Sequence, residues 1–140
     1  MVEPLGELLE FRLGDERYCL DIAYVDEIVT TTEIRPIPNA PDRVVGVTDL
    51  RGRTTTVVDP GIVLNVDGER DHTHIVVLDG DELTDTEGTV GWLVEDVRRV
   101  ITASDDDVDR TPVMDDTPVA GVVTNDSEFV VQLDPRTVAA

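Results

Sequence analysis

Apolar positions in this chain fall into short alternating runs, and most of the runs pair across a turn signal. Residues 8–13 (Leu-Leu-Glu-Phe-Arg-Leu) and 18–22 (Tyr-Cys-Leu-Asp-Ile) flank Gly14-Asp15-Glu16-Arg17 and read as a hairpin. Residues 44–50 and 54–58 flank Arg51-Gly52 and read as a second hairpin. Residues 74–78 and 90–95 are further strands, and 121–124 with 129–133 form a last hairpin. Residues 34–37 are a short extended piece beside Pro36 and Pro38. Val25, Ile28 and Val29 have a helix-like spacing, which predicts one or two helical turns over 23–29, and the stretch 97–101 is read as a turn. Residues 60–64 read as one helical turn, because proline is comfortable at a first helical position. Many short strands with turns between them predict an all-β chain, built as small barrels or a sandwich.

The pattern nearly occurs twice. Residues 46–60 read GVTDLRGRTTTVVDP and residues 121–135 read GVVTNDSEFVVQLDP. The turn Gly14-Asp15-Glu16 is echoed by Gly80-Asp81-Glu82. Ile22-x-x-Val25-x-x-Ile28-Val29 is echoed by Val94-x-x-Val97-x-x-Val100-Ile101. Such a repeat predicts two similar subdomains within one domain spanning 1–140. Their approximate limits are 8–64 and 73–135, with the polar stretch 65–72 between them. Halves of this size are marginal alone, so they should share a core. A seam lined by equivalent apolar residues is a natural place for a partner.

Charge changes the picture next. The net charge is −20, and all 11 basic residues are arginine. A surface this acidic argues against nucleic acid, whose phosphates need a basic face. Disorder does not explain the charge, since 40% of residues are apolar and recur at strand spacing. A carboxylate-rich surface without lysine resembles proteins of salt-loving organisms, where salt screens the repulsion. No apolar run reaches the ~18 residues of a membrane helix, and the start MVEPLGELLEF is unlike a signal peptide. The expectation is a cytoplasmic protein with no direct membrane insertion.

Few residues suggest chemistry. Cys19 is the only cysteine and sits in an alternating strand, as a small buried hydrophobe would. His72 and His74 could begin a metal site but have no evident third ligand. Residues 65–71 look faintly like a calcium loop, yet the closing position holds Val76 where a glutamate is needed. Asp105-Asp106-Asp107, Asp109 and Asp115-Asp116 read as solvated loop, since adjacent side chains diverge. Nucleophile elbow, phosphate loop, zinc-protease and dinucleotide motifs are absent, which points away from catalysis. Metal and cofactor are not expected. One turn stands out: Asp49-Leu50-Arg51-Gly52-Arg53 places an apolar residue and two cations at the tip of a hairpin in a polyanion. The arginines either serve a partner or merely neutralise local acid.

At these residues the chain resembles the CheW family. The resemblance rests on Phe11-x-Leu13-Gly14-Asp15-Glu16-x-Tyr18-x-Leu20-Asp21-Ile22-x-x-Val25-x-Glu27-Ile28, then Ile37-Pro38-Asn39-Ala40-Pro41, then Gly46-Val47-Thr48-Asp49-Leu50-Arg51-Gly52 and Val57-Val58-Asp59. Gly91-x-Leu93-Val94-x-x-Val97 and Gly121-Val122 extend it more loosely. The family usually has Asn where Asp49 stands, and its C-terminal helix is nearly absent here. The resemblance implies two five-stranded SH3-like β-barrels packed about a shared core. It implies a non-enzymatic scaffold that couples transmembrane chemoreceptors to the histidine kinase CheA, recruited to membrane-associated receptor arrays. Carried over by motif, the groove for the receptor's cytoplasmic tip would hold Val25, Glu27, Ile28, Leu50, Arg51, Val97 and Val100. The kinase would dock near Arg43, Val44, Val45, Gly46 and Val47.

Two other readings stay open on sequence: an adaptor of the same fold serving a non-chemotactic kinase, and a divalent-cation-binding protein or metal enzyme using the acidic loops. The charge carries its own expectation: circular dichroism should show the fold loosening when salt is withdrawn at neutral pH, and full structure in salt-free buffer would remove the salt-adapted reading.

Overall fold

The computed structural model describes residues 4–66, 73–79, 89–109, 118–125 and 127–135. The first half supplies β1 (Pro4–Leu13), β2 (Glu16–Asp21), β3 (Val25–Thr30), β4 (Val44–Leu50), β5 (Arg53–Val58) and a one-turn helix α1 (Pro60–Val63). The second supplies β6 (His74–Leu78), β7 (Thr89–Val94), β8 (Asp96–Ser104), β9 (Val108–Asp109), β10 (Val119–Asn125) and β11 (Glu128–Leu133). Local signals explain several boundaries. Arg51 and Gly52 join β4 to β5 with φ of 54° and 80°, the doubly left-handed turn that suits a two-residue hairpin. Asp59 caps α1 by accepting from the Gly61 amide at 2.9 Å, and Pro60 opens the helix.

One sheet has the order β3-β6-β7-β5-β4, and the other β8-β1-β2-β11-β10-β9. Exchanging β1, β2, β3, β4 and β5 for β6, β7, β8, β10 and β11 converts the first order into the first five strands of the second. The repeat in the sequence is therefore a repeat of topology. Its halves are interleaved, which corrects the subdomain limits 8–64 and 73–135. The β1–β2 hairpin lies in the sheet of the second half, where β2 pairs parallel with β11. The β6–β7 pair lies in the sheet of the first half, where β7 pairs parallel with β5. Neither half contains all the strands of a barrel.

Both barrels close by the same device. Past β3, Arg35 forms an isolated bridge with Val47 of β4, with both backbone hydrogen bonds at 2.8 Å. The strand at one end of the order thus continues onto the strand at the other. Past β8, β9 pairs with β10 through Asp109 opposite Val122 and Val108 opposite Val123. The nominal sixth strand is the counterpart of the Arg35 bridge.

The stretch 25–29 is strand and not helix, and 97–101 is strand and not a turn; of 23–29 only the start belongs to a 3-10 turn, Ile22–Tyr24, capped by Asp21. The helix-like spacing has a physical cause. β3 bulges between Val25 and Glu27 where it pairs with β6, and β8 bulges around Arg98 where it pairs with β1. One extra residue in a strand returns positions i and i+3 to the same face. The bulges fall at Asp26 and Arg98, which correspond in the repeat. A second pair falls at Val45 and Ala120.

Strand alternation builds three apolar clusters. Leu9, Phe11, Leu13, Tyr18, Leu20 and Leu133 of one sheet meet Val58, Val76, Leu78, Val90, Trp92 and Val94 of the other. Trp92 lies edge-on to Phe11 at 6.0 Å between ring centroids. The opposite faces of the same strands fill each barrel: Leu8, Cys19, Ile101, Ala103, Val108, Val123 and Val130 in one, Leu50, Val57, Ile75, Val77 and Leu93 in the other.

Barrel closure makes Gly46 obligatory, because a Cβ there would lie 2.1 Å from the carbonyl oxygen of Arg35. Gly52, at the exposed tip, has open space around it. Denaturant titration in molar salt should place Gly46→Ala about 2–3 kcal/mol below the parent, as overpacking against backbone demands. Gly52→Ala should cost about 1 kcal/mol from its left-handed backbone alone.

Candidate partner-binding site

The apolar residues of β3 and β8 are placed by register. Val25 stands opposite Leu78 and Ile28 opposite Val76, and both of those partners belong to the shared core. Val97 stands opposite Phe11 and Val100 opposite Leu9, again shared-core residues. Directly paired residues point to the same face of a sheet. Val25, Ile28, Val97 and Val100 therefore all lie on the faces through which the two sheets pack. Val25 and Val97 are half-buried against the shared core. Ile28 and Val100 are left 39% and 46% exposed. These are the margins of the seam between the barrels.

The remaining groove candidates divide. Glu27 follows the β3 bulge and stands opposite Val77, on the barrel's own side. Arg51 meets it there, with Nη1 3.1 Å from Glu27 Oε2, while its own side chain stays 80% exposed. Arg53 likewise reaches Asp26 at 3.2 Å. These two pairs tie the tip of the β4–β5 hairpin to β3. Arg51 thus meets a carboxylate within the chain, and the exposed remainder of its guanidinium faces solvent. Leu50 is not a surface anchor, contrary to its place at the hairpin tip. It is 7% exposed and packs with Val57, Ile75, Val77 and Leu93, because alternation from buried Thr48 turns it inward.

The kinase candidates occupy β4 and the residue before it. The Arg43 carbonyl accepts from the Asp59 amide at 2.8 Å. Val44 flanks the shared core, Val45 flanks the core of its own barrel, and Gly46 is buried. Val47 spends both backbone groups on Arg35, so a partner cannot extend the sheet at that point. What β4 offers there is side chains.

On β8, two arginines follow Val97 in place of Asp26 and Glu27. Arg98 Nε lies 2.8 Å from Glu10 Oε2, and Arg99 Nε lies 3.6 Å from Glu10 Oε1. Glu10 is fully buried among the strands of that barrel. Sequence reasoning missed this group, although a carboxylate at an alternating apolar position and the only adjacent arginine pair were both visible signals. A further bidentate pair, Arg17 with Glu128, spans β2 and β11, and the guanidinium holds the Glu128 carboxyl below its ordinary value.

The other sequence candidates are structurally ordinary where they are described. His74 bonds its Nδ1 to the Thr73 hydroxyl at 2.7 Å. Asp107 accepts from the Ser104 amide and hydroxyl. Among the described residues no three His, Cys, Asp or Glu side chains converge as a metal site requires. His72, Asp115, Asp116, most of the faint calcium loop and the Gly80-Asp81-Glu82 echo lie outside the described residues.

Comparison with known proteins decides the family. A family model described as the CheW-like domain matches residues 7–140. The chain belongs to the CheW family. It is 36% identical over 107 residues to the chemotaxis protein CheW of Rhizobium meliloti, covering 76% of this chain and 66% of that protein. It is 30% identical over 140 residues to CheW of Treponema pallidum, covering 91% and 78% respectively. The chain thus spans a little under two thirds of the Rhizobium relative's length. The crystal structure of a scaffolding protein CheW from Thermoanaerobacter tengcongensis superposes with a TM-score of 0.78 at 24% identity, over 96% of this chain and 86% of that one. The two-barrel architecture is therefore the CheW fold.

Burial settles the character of the lone thiol. Desolvation, reinforced by the nearby Glu10 carboxylate, pushes Cys19 up to about 12, so it stays a neutral thiol at neutral pH. A thiol-alkylating reagent at pH 8 in molar salt should label Cys19 at the rate of unfolding and not before. Rapid labelling of the folded protein would contradict the packing described for β2.

Proposed function

We propose that this chain is a non-enzymatic coupling scaffold that joins the cytoplasmic tips of chemoreceptors to the histidine kinase CheA, in the cytoplasm at receptor arrays. The observation that carries the receptor assignment is the pair of bulged strands. Each presents an apolar residue half-buried against the shared core and a second one left exposed beside it, Val25 with Ile28 and Val97 with Val100. An amphipathic helix docks through residues three and four apart, and paired apolar anchors on two walls suit that spacing. Arg51, exposed and held over Glu27, would orient the helix by meeting a carboxylate or terminal carbonyls. The side-chain face of β4 at Arg43, Val44, Val45, Gly46 and Val47 is the proposed kinase surface. The acidic exterior is proposed as an adaptation to high salt.

Ile28→Asp tests the groove. A carboxylate introduced into an apolar contact costs roughly 2 kcal/mol or more, at least about tenfold in affinity. Pull-downs with a receptor-tip fragment should lose capture while CheA capture stays within about twofold. Unchanged receptor capture by a folded variant would reject the groove. Arg51→Ala should lower receptor affinity in molar salt by about 1–3 kcal/mol, since long-range attraction is screened there and only contact survives. Its melting should barely move, because an exposed pair contributes roughly 0–1 kcal/mol to stability. Arg17→Ala, whose side chain pairs with Glu128 across β2 and β11 and belongs to neither bulged strand, should bind as the parent does.

A further inference from the structure

We infer that Glu10 is a positioning residue for the groove: from inside its barrel it pins the bulge of β8 and so holds Val97 and Val100 in place. The inference rests on the groove reading above and goes beyond it. Each wall of the groove depends on a bulge, since without the extra residue Val97 and Val100 would fall on opposite faces of β8, as Val25 and Ile28 would on β3. A bulge leaves its extra residue outside the ladder and needs other contacts to hold it. In both walls the bulged residue and the one after it are ion-paired. On β3 these are Asp26 with Arg53 and Glu27 with Arg51. On β8 they are Arg98 and Arg99, both with Glu10.

The two clamps have opposite polarity and opposite exposure. The β3 clamp is acidic on the strand and basic on the hairpin tip, and both arginines lie in solvent. The β8 clamp is basic on the strand, and its acid is fully buried. Register explains the difference. Glu27 stands opposite Val77, whereas its counterpart Arg99 stands opposite Glu10. The position that is apolar in one barrel is the carboxylate in the other. At molar salt the exposed clamp is screened, while ion pairs whose carboxylate is fully buried, with Arg98 Nε at 2.8 Å and Arg99 Nε at 3.6 Å, are screened less. The β8 wall is the one built to keep its shape in brine. Glu10 cannot touch a partner, because no part of it reaches the surface. Any effect it has on receptor binding must pass through β8.

The test uses the full chain in molar salt, with a receptor-tip fragment and CheA as separate probes. Glu10→Gln keeps the shape and removes the charge. Glu10→Val places there the residue found at the matching position of the other barrel, and Glu10→Gln with Arg98→Gln removes the nearer cation together with the charge if the single variants fold poorly. Variants with native circular dichroism should bind the receptor tip at least tenfold more weakly and bind CheA within about twofold. Amide exchange should quicken over 97–100 relative to the core strands β6 and β7. Glu10→Asp, which keeps the charge, should recover part of the affinity. Val100→Asp runs alongside as the direct test of the groove. If it abolishes binding while folded Glu10→Gln binds like the parent with unchanged exchange over 97–100, the positioning role is overturned and the groove stands. If Val100→Asp binds like the parent, the groove reading itself fails. A loss of receptor and CheA binding in equal measure, with exchange quickened throughout, would show Glu10 to be merely structural and would overturn the inference.

Discussion

Four strands, β1, β2, β6 and β7, are covered on both faces, and the rest of the molecule follows from that placement. One face of each fills its own barrel and the other meets the opposite barrel. Trp92 and Phe11 meet across this boundary and are fully buried. A single small barrel of about seventy residues would bury too little surface to be secure. Packing two barrels face to face lets the same strands contribute twice. The margins of that shared face are where β3 and β8 run, so the proposed groove would be a by-product of the packing that stabilises the fold.

Interleaving strengthens the same dependence. Each barrel borrows two strands from the other half of the sequence, and the borrowed strand joins by parallel pairing. A parallel pair cannot be made by a tight turn, so these contacts span long stretches of chain. Unfolding one barrel removes strands from the other, which predisposes the domain to behave as one cooperative unit. The repeat in topology extends to detail: both barrels close through the segment that follows their edge strand, and both carry bulges at corresponding residues.

Where the two units differ is charge. Asp26 and Glu27 stand on one edge strand, and Arg98 and Arg99 stand at the matching positions of the other. In a chain with 31 carboxylates and 11 arginines, cations are scarce, and at least four of them are spent on these strands. Short-range pairs of this kind keep their value in salt better than a diffuse field does, because contact survives where the Debye length is only a few ångströms. A structural use of the arginines accounts for why the hairpin tip carries Arg51 and Arg53 without requiring a nucleic-acid or phosphate ligand.

The sequence by itself determined the strands, the hairpin turns, the one-turn helix at Pro60, the repeat and the family, because alternation, turn residues and capping are local and each is written in neighbouring positions. It misread 23–29 as turns of helix and 97–101 as a turn, since one extra residue in a strand mimics helical spacing and only the partner strand reveals the bulge. It placed Leu50 at the surface, where the tertiary fold turns it into a barrel. It cut the subdomains at a polar connector, while long-range parallel pairing crosses that cut. Glu10 was the least legible residue. A carboxylate in a buried strand position has no meaning until the fold brings Arg98 and Arg99 beside it, and that proximity depends on register between strands about ninety residues apart, which no local pattern specifies.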